Sequence, residues 1–496
     1  RQYWTEESEM QSLFPEQRYS FFHIILFMEN KNFLKKVYIE TMGCQMNKSD
    51  TERILGMLSH FGYEHTEESK DADLLIVNTC SIRQLSADKA YSLVGVWGKW
   101  KNDERQKELQ GKPFKEIKIA FCGCVAQQDK EKLLKRFPYV DLVFGTNNVY
   151  ELPDLIKRIN EGERVCATNE TPKKFTDGEE EAKYEIKRAK SLNAWIPIME
   201  GCNNFCTYCI VPFTRGRERS RKPAEIIAEA KKAVAEGFKE ITLLGQNVDS
   251  YGKTLDANND YDGRDVTLAN LLRDLNKIDG KFRIRFVTSY PTDISDDLIQ
   301  AVKECDKVCE FFHIPMQSGN SNVLKEMNRR YDREQYGKIV KKIRETFEDV
   351  AITSDFIAGF PGETEEEFLD TLSAIDEFEL DYSNTAAYSP RVKTKAAKWT
   401  DKFIDEETKF ERLARLNEKN RQACLKSNEK CVGKTFEILV ESYENKDGEI
   451  ILAGRAPNNK IVHFKGDKAL VGEFVDVKIT GASTWHLRGE LDEKNI

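Results

Sequence analysis

Ala194-Trp195-Ile196-Pro197-Ile198-Met199-Glu200-Gly201-Cys202-Asn203-Asn204-Phe205-Cys206-Thr207-Tyr208-Cys209 joins an apolar run directly to three closely spaced cysteines. Ala194–Met199 reads as a strand, and the CxxxCxxC follows as the loop at its C-terminal end. Three thiolates on one tight loop can hold three irons of a cubane cluster and leave the fourth open to a ligand. A zinc site asks for a fourth Cys or His nearby, and none follows before Cys305. Active sites of βα barrels gather at such strand ends. This loop carries chemistry.

A βα series continues downstream with strands at Glu240–Leu244, Arg283–Val287, Phe311–Ile314, Ile352–Ile357 and Ser383–Tyr388. Helical stretches separate them, such as Pro223–Glu236 with proline in its first turn. Six βα units are too few for an eight-stranded barrel, so residues 191–428 predict a partial (βα)6 barrel. Upstream, Val37–Ile39, Leu74–Val77, Ile117–Phe121 and Val140–Phe144 alternate with helical patterns. They predict a doubly wound parallel α/β domain over residues 35–168. Residues 169–190 are charged and read as a linker, and residues 1–34 are an extension of no assignable role. From 429 to 496 five short strands predict a small OB-like β-barrel: Thr435–Val440, Ile450–Ala453, Lys460–Phe464, Phe474–Ile479 and His486–Glu490. The fold class is α/β.

Twelve cysteines in 496 residues are too sparse for a disulfide scaffold. No apolar run reaches the ~20 residues of a membrane span, so a soluble, cytoplasmic chain with no membrane contact is expected. The net charge of −8 leaves any nucleic-acid contact to local basic patches. One candidate is Arg215–Lys222, with five positive charges against one negative. It reads either as a solvated run or as a contact for RNA phosphates.

Cys44, Cys80 and Cys124 each lie just beyond a strand of the first domain. The C-terminal edge of a doubly wound sheet gathers ligands, so these three can converge although distant in sequence. Alternation turns Cys122 into the fold. Cys166, Cys305, Cys309, Cys424 and Cys431 read as packing residues, with Cys305 and Cys309 an i, i+4 pair on one helix. His313 reads as a satisfied barrel residue.

The Cys202–Cys209 spacing resembles the radical S-adenosylmethionine (SAM) superfamily. Gly43-Cys44-Gln45-Met46-Asn47, Asn78-Thr79-Cys80-Ser81-Ile82-Arg83 and Gly123-Cys124-Val125-Ala126-Gln127 narrow the resemblance to the methylthiotransferase family. So do Leu244-Gly245-Gln246-Asn247-Val248, His313–Gly319 and Gly359–Thr364. Within it they are most similar to the branch of tRNA-2-methylthio-N(6)-dimethylallyladenosine synthases. The resemblance covers residues 35–490, and the last barrel is similar to the family's TRAM domain. Val392-Lys393-Thr394-Lys395 departs from it, where the family usually shows a Gly-Thr-Pro-like turn.

The resemblance implies two [4Fe-4S] clusters, on Cys202, Cys206, Cys209 and on Cys44, Cys80, Cys124, and SAM as both methyl donor and radical source. It places Tyr208 near the SAM adenine, although ordinary packing explains that ring as well. Gln246, Asn247, Ser289, Gln317 and Asp355, at or near barrel strand ends, are candidates to bind the methionine or ribose parts of SAM. No catalytic acid or base is named, because the cofactor carries the chemistry. The implied partners are a tRNA anticodon stem-loop, an external electron donor and a sulfur or cluster-repair source. Two other readings stay open: methylthiolation of threonylcarbamoyl-adenosine or a ribosomal protein, and a non-catalytic iron–sulfur RNA-binding or redox-sensing protein.

Overall fold

The computed structural model describes residues 35–81, 84–169, 184–257, 261 and 263–492. The expected N-terminal extension and most of the expected linker lie outside them. The first sheet contains β1 (Lys35–Met42), β2 (Tyr63–His65), β3 (Leu74–Thr79), β4 (Lys118–Gly123), β5 (Leu142–Phe144) and β6 (Val165–Ala167). All its neighbours pair in parallel, in the order β2-β1-β3-β4-β5-β6. Period-two alternation divides β3 between two cores. Leu74 and Ile76 pack with Ile54, Met57 and Leu58 of the helix Gln45–His60, while Leu75 and Val77 pack with Val94 and Trp97 of the helix Gln84–Leu109. Helices therefore cover both faces. β2 and β6 escape sequence reading because three residues are too few to show a period. The helical stretch after β4 is two short helices, Cys124–Asp129 and Glu131–Arg136, broken where Lys130 takes φ +52.

The second unit has β7 (Asn193–Pro197), a small hairpin of β8 (Met199–Glu200) and β9 (Arg219–Ser220), then β10 (Glu240–Leu244) and β11 (Arg283–Phe286). It continues through β12 (Phe311–His313), β13 (Ala351–Ala358) and β14 (Tyr382–Ala387). Two parallel sheets, β11-β10-β7 and β12-β13-β14, are stitched by a bridge between Ile284 and Val308. Six strands thus form an open barrel. Its core includes Ile226 and Ala230 from the helix Pro223–Ala235, Leu243, Ile284, Phe312 and Ile352. Cys305 and Cys309 do not share a helix as expected, since the helix Asp296–Glu304 ends at Cys305, but both are buried.

The third unit is a closed barrel of β15 (Thr435–Lys446), β16 (Glu449–Arg455), β17 (Ile461–Lys465), β18 (Phe474–Ala482) and β19 (Leu487–Leu491), in the order β15-β16-β17-β19-β18. Its centre is apolar, with Ile438, Val440, Leu452, Val462, Val477 and Leu487. Arg283 and Arg285 on β11 bind it to the second unit. Arg283 donates to the carbonyls of Glu437 and Arg455, the latter at 2.7 Å, and Arg285 to those of Ala456 and Pro457, both at 2.8 Å. Among the described residues no helix is long and apolar enough to cross a membrane.

Candidate active site between two cysteine triads

The strand order of the first sheet reverses between β1 and β3, so the loops leaving them open a crevice at the C-terminal edge. Cys44 precedes the helix Gln45–His60, Cys80 follows β3, and Cys124 opens the helix after β4. The fold brings these three thiols together, with Cys80 hydrogen-bonded to both Cys44 and Cys124. The Cys80 hydrogen bond, reinforced by the nearby Arg215 cation, outweighs burial and brings Cys44 down to about 6 and Cys124 down to about 7. Those same bonds push Cys80 far up.

Buried amides fix these loops. Asn47 Nδ2 donates to Asn78 Oδ1 at 2.9 Å, Asn78 Nδ2 donates to the Asn47 carbonyl at 2.9 Å, and Thr79 Oγ1 donates to the Cys122 carbonyl at 3.1 Å. Gly123 sits at φ +87, where a Cβ would stand 2.5 Å from both Asn78 Oδ1 and the Thr79 carbonyl. Only glycine leads the chain into Cys124 by that route. Cys122 packs in the core of the opposite face, as alternation requires.

The second triad lies beyond β8. Gly201 takes φ +78, and a Cβ there would stand 2.1 Å from the Arg217 carbonyl. Cys209 N donates to the Cys206 carbonyl at 3.0 Å, closing a tight turn. Thr207 fastens the loop to the helix Ser321–Glu326 and its end, with N donating to the Met327 carbonyl at 3.0 Å and Oγ1 to that of Glu326 at 2.9 Å. All three thiols keep partial exposure. Burial pushes Cys209 up to about 12, with Cys206 adding to the effect, and raises Cys202 too.

Arg329 stands beside this loop, and sequence reading gave no sign of it. Its Nη1 lies 3.4 Å from Cys206 Sγ, Nη2 donates to the Pro315 carbonyl at 2.5 Å, and Nε donates to Tyr331 Oη at 2.6 Å. The guanidinium lies over the rings of Tyr290 and Tyr331, 4.4 and 5.0 Å from their centroids. Among the described residues no carboxylate forms an ion pair with it. A sequestered cation with sulfur, carbonyl and aromatic neighbours suits an anionic group seated on the loop.

The expected mouth residues fall into two groups. Gln246 Oε1 accepts from Gly201 N at 2.6 Å, so it holds the cysteine loop itself. Gln317, at φ +77, lies beside Asp355, its N donating to the Asp355 carbonyl at 2.8 Å. The Asp355 carboxylate faces His313 Nε2 at 3.3 Å and accepts from Asn384 at 2.9 Å. These partners outweigh burial and hold it below its usual range. His313 Nδ1 meets Thr353 Oγ1 at 2.9 Å, so that ring is satisfied. Asn247 and Ser289 are buried and turned to acids, Asn247 Nδ2 to Asp293 at 2.7 Å and Ser289 Oγ to Asp249 at 3.1 Å. Asn247 Oδ1 is buried without a hydrogen-bond partner among the described residues, an acceptor suited to a donor from outside the chain. Tyr208 packs edge-on against Phe360 at 6.5 Å.

Most of the basic run is turned inward, and only Arg217 and Lys222 are exposed as either reading requires. Arg215 is buried, its Nη2 donating to Asp50 Oδ2 at 2.6 Å across the boundary between the first two units. Arg219 pairs with Glu200 at 3.2 Å, and Arg221 with Glu229 at 2.8 Å. Arg217 is exposed but lies over the Phe205 ring at 4.3 Å. The run is mostly interface. Through Arg215 it carries a cation from the second cysteine loop to the edge of the first triad.

Both triads fit an iron–sulfur group by donor chemistry, since sulfur alone converges at each. Among the described residues no three His, Cys, Asp or Glu side chains are arranged as ligands of one metal ion.

Comparison with known proteins agrees with this geometry. A model of the radical SAM superfamily matches residues 196–375, one of the uncharacterized protein family UPF0004 matches 36–145, and one of the TRAM domain matches 429–491. A tRNA-2-methylthio-N(6)-dimethylallyladenosine synthase of Thermoanaerobacter pseudethanolicus is 44% identical over 468 residues, 94% of each chain. One of Clostridium perfringens is 45% identical over 469 residues, 94% of this chain and all of that one. Among solved structures, a radical SAM methyltransferase, TsrM, of Kitasatospora setae, with cobalamin and a [4Fe-4S] cluster bound, aligns at a TM-score of 0.51. It covers 74% of this chain and 77% of that one at 15% identity, a likeness of fold alone.

Proposed function

The chain belongs to the family of tRNA-2-methylthio-N(6)-dimethylallyladenosine synthases, and we propose that it adds a methylthio group to carbon 2 of that prenylated adenosine beside the tRNA anticodon. One observation carries the proposal: Arg215, which follows the Cys202–Cys209 loop in the chain, crosses to Asp50 of the first unit and lies within electrostatic reach of Cys44 and Cys124. Cys202, Cys206 and Cys209 hold one [4Fe-4S] cluster, and Cys44, Cys80 and Cys124 hold a second. Bound there, the clusters and SAM supply radical activation of a carbon–hydrogen bond together with the sulfur and methyl groups. General bases are too weak for that bond.

The chain's own residues bind and position. Gln246 fixes Gly201 and so the reach of the first cysteine ligand. Arg329 offers a cation to an anionic group beside Cys206. Tyr208, Asn247, Ser289, Gln317 and Asp355 surround the SAM site, with Ser289 acting through Asp249 rather than by contact. Residues 35–168 carry the second cluster, 191–428 the radical chemistry, and 429–496 an RNA-binding TRAM unit. An external electron donor and a sulfur or cluster-repair source complete the cycle, in the cytoplasm.

The test pairs cysteine replacement with substrate choice. Replacing Cys202, Cys206 and Cys209 by Ala should remove about half the iron and all SAM cleavage. Replacing Cys44, Cys80 and Cys124 should leave SAM cleavage and abolish sulfur insertion. Full iron in either variant overturns the ligand assignment. Anticodon stem-loops with unmodified, prenylated or threonylcarbamoylated adenosine are then assayed by mass for added methylthio. Preference for any but the prenylated loop overturns the substrate.

A further inference from the structure

With Arg215, Arg219 and Arg221 taken up by Asp50, Glu200 and Glu229, the Arg215–Lys222 run leaves only Arg217 and Lys222 exposed, and the phosphates of an RNA substrate need a further cationic surface near the two triads. The segment after β14 supplies one. Arg391–Lys402 carries five basic residues, Arg391, Lys393, Lys395, Lys398 and Lys402, against one acid, Asp401. In a chain of net charge −8 this is a local reversal of sign. Its four lysines are all exposed.

The segment is tied to the site from inside. Ala396 N donates to the Thr207 carbonyl at 2.8 Å, inside the second cysteine triad. Ala396 is buried with Tyr208 and Phe360, and the Trp399 ring meets Phe360 edge-on at 5.9 Å. Gly362 N donates to the Lys402 carbonyl at 2.9 Å. Arg391 is within electrostatic reach of Cys80 in the first triad. One face of the segment thus belongs to the wall between the triads, while its lysines face solvent at the mouth.

Lys393 adds a second observation. It takes φ +77, in the left-handed region that disfavours a residue with a Cβ. A glycine would relieve that conformation, and the chain uses a lysine. Strained backbone of this kind persists where the side chain has a use.

We propose that Lys393, Lys395, Lys398 and Lys402 form the surface that receives the phosphate backbone of the RNA, delivering the anticodon loop to the opening between the triads. This rests on the tRNA reading above and names the surface that serves it. Sequence-neutral phosphate contacts position a strand, and the unstacked base then enters the protein.

The experiment measures binding of a prenylated anticodon stem-loop over a salt series by the full chain. The variant carries Lys393→Gln, Lys395→Gln, Lys398→Gln and Lys402→Gln. Four lost phosphate contacts should weaken binding at least about tenfold and flatten the log–log salt slope by about 3. SAM cleavage in the absence of RNA should not change. Lys393→Gly alone should keep or raise the melting temperature while weakening binding, which separates charge from folding. A control variant, Lys338→Gln with Lys341→Gln on the exposed face of the helix Arg333–Thr346, should bind as the parent does. An unchanged salt slope in the fourfold variant, or an equal loss in the control, overturns this surface while the functional reading stands. A parent chain that does not bind the stem-loop overturns both.

Discussion

Replacing Glu229 by Gln tests whether ion pairs hold the two α/β units in register. Glu229 is 8% exposed and faces three arginines, Arg188 at 2.6 Å, Arg221 at 2.8 Å and Arg53 at 3.4 Å. Arg53 comes from the helix Gln45–His60 of the first unit, Arg188 from the segment leading into β7, and Arg221 from beyond the second triad. Glutamine keeps the shape and removes the charge, leaving three sequestered cations without their shared counterion. Stripping one partner from a buried pair costs about 3–5 kcal/mol. Arg221 keeps the Pro197 carbonyl at 2.7 Å and Arg188 keeps Glu236 at 3.9 Å, so the low end, about 3 kcal/mol, applies. Three units need not unfold as one, so the assay is hydrogen exchange of amides in Gln45–His60, where about 3 kcal/mol means roughly a hundredfold faster opening. The charge also sets the pH range. Burial raises the Glu229 carboxyl, but the three arginines outweigh it and hold it below its ordinary 4.5. A depressed acid stabilises fully above that ordinary value and loses its contribution as pH falls through the folded one. The gap between parent and variant should be full at neutral pH and close in acid below 4.5. A gap under about 1 kcal/mol at neutral pH, or one that widens in acid, refutes the reasoning.

Asp249 has the opposite sign: burial pushes its carboxyl up to about 8 from 3.8, so its contribution is full below 3.8 and is lost as pH rises through about 8. Asp249→Asn should flatten the stability profile over that window in calorimetry, and a parent that gains stability there contradicts it. Arg329→Met should keep the iron but weaken SAM binding at least about tenfold, since the cation facing an anionic ligand is gone; unchanged SAM affinity by calorimetric titration sinks that role. Truncation after Glu429 takes four carbonyl acceptors from Arg283 and Arg285. Water replaces those acceptors, so what is lost is the net worth of four charge-assisted hydrogen bonds, about 1.5–3 kcal/mol each at most, and the partial barrel should melt below the full chain. An unchanged melting point shows that the two units are energetically independent.

The fold was legible where periodicity was long and local. β3, β10 and β13 are apolar runs bounded by polar turns, and the Cys44, Cys80 and Cys124 loops could be placed by where strands end. What failed depended on distant partners. Arg215 looks like a solvated or RNA-facing cation until Asp50, from another unit, stands 2.6 Å away. Arg329 lies in an ordinary polar stretch, and its role comes from Cys206 and Pro315, 123 and 14 positions away. The run Arg391–Lys402 carries no signal in the sequence beyond the departure of Val392-Lys393-Thr394-Lys395 from the family turn, and its exposure follows only from the fold.

Parallel α/β sheets offer ligands from one edge only, so two of them can share a reaction only with those edges opposed. An apolar boundary would press the units together without fixing their rotation, because hydrophobic burial has no direction. Here the boundary is directional. Asp50 receives Arg215 and Glu229 gathers Arg53, while Thr146 Oγ1 donates to the Thr214 carbonyl at 2.5 Å and Ser49 Oγ to the Trp195 carbonyl at 3.4 Å. Three of these four donors sit on or beside an element that also carries a cysteine loop: Arg53 and Ser49 on the helix after Cys44, and Arg215 at the end of the short helix Val211–Thr214 after Cys209. A slip of one unit along the boundary would strand a buried charge, an outcome far costlier than lost contact area. The polar interface therefore resists a slip of one unit past the other, as the proposed transfer between the triads on a single substrate requires.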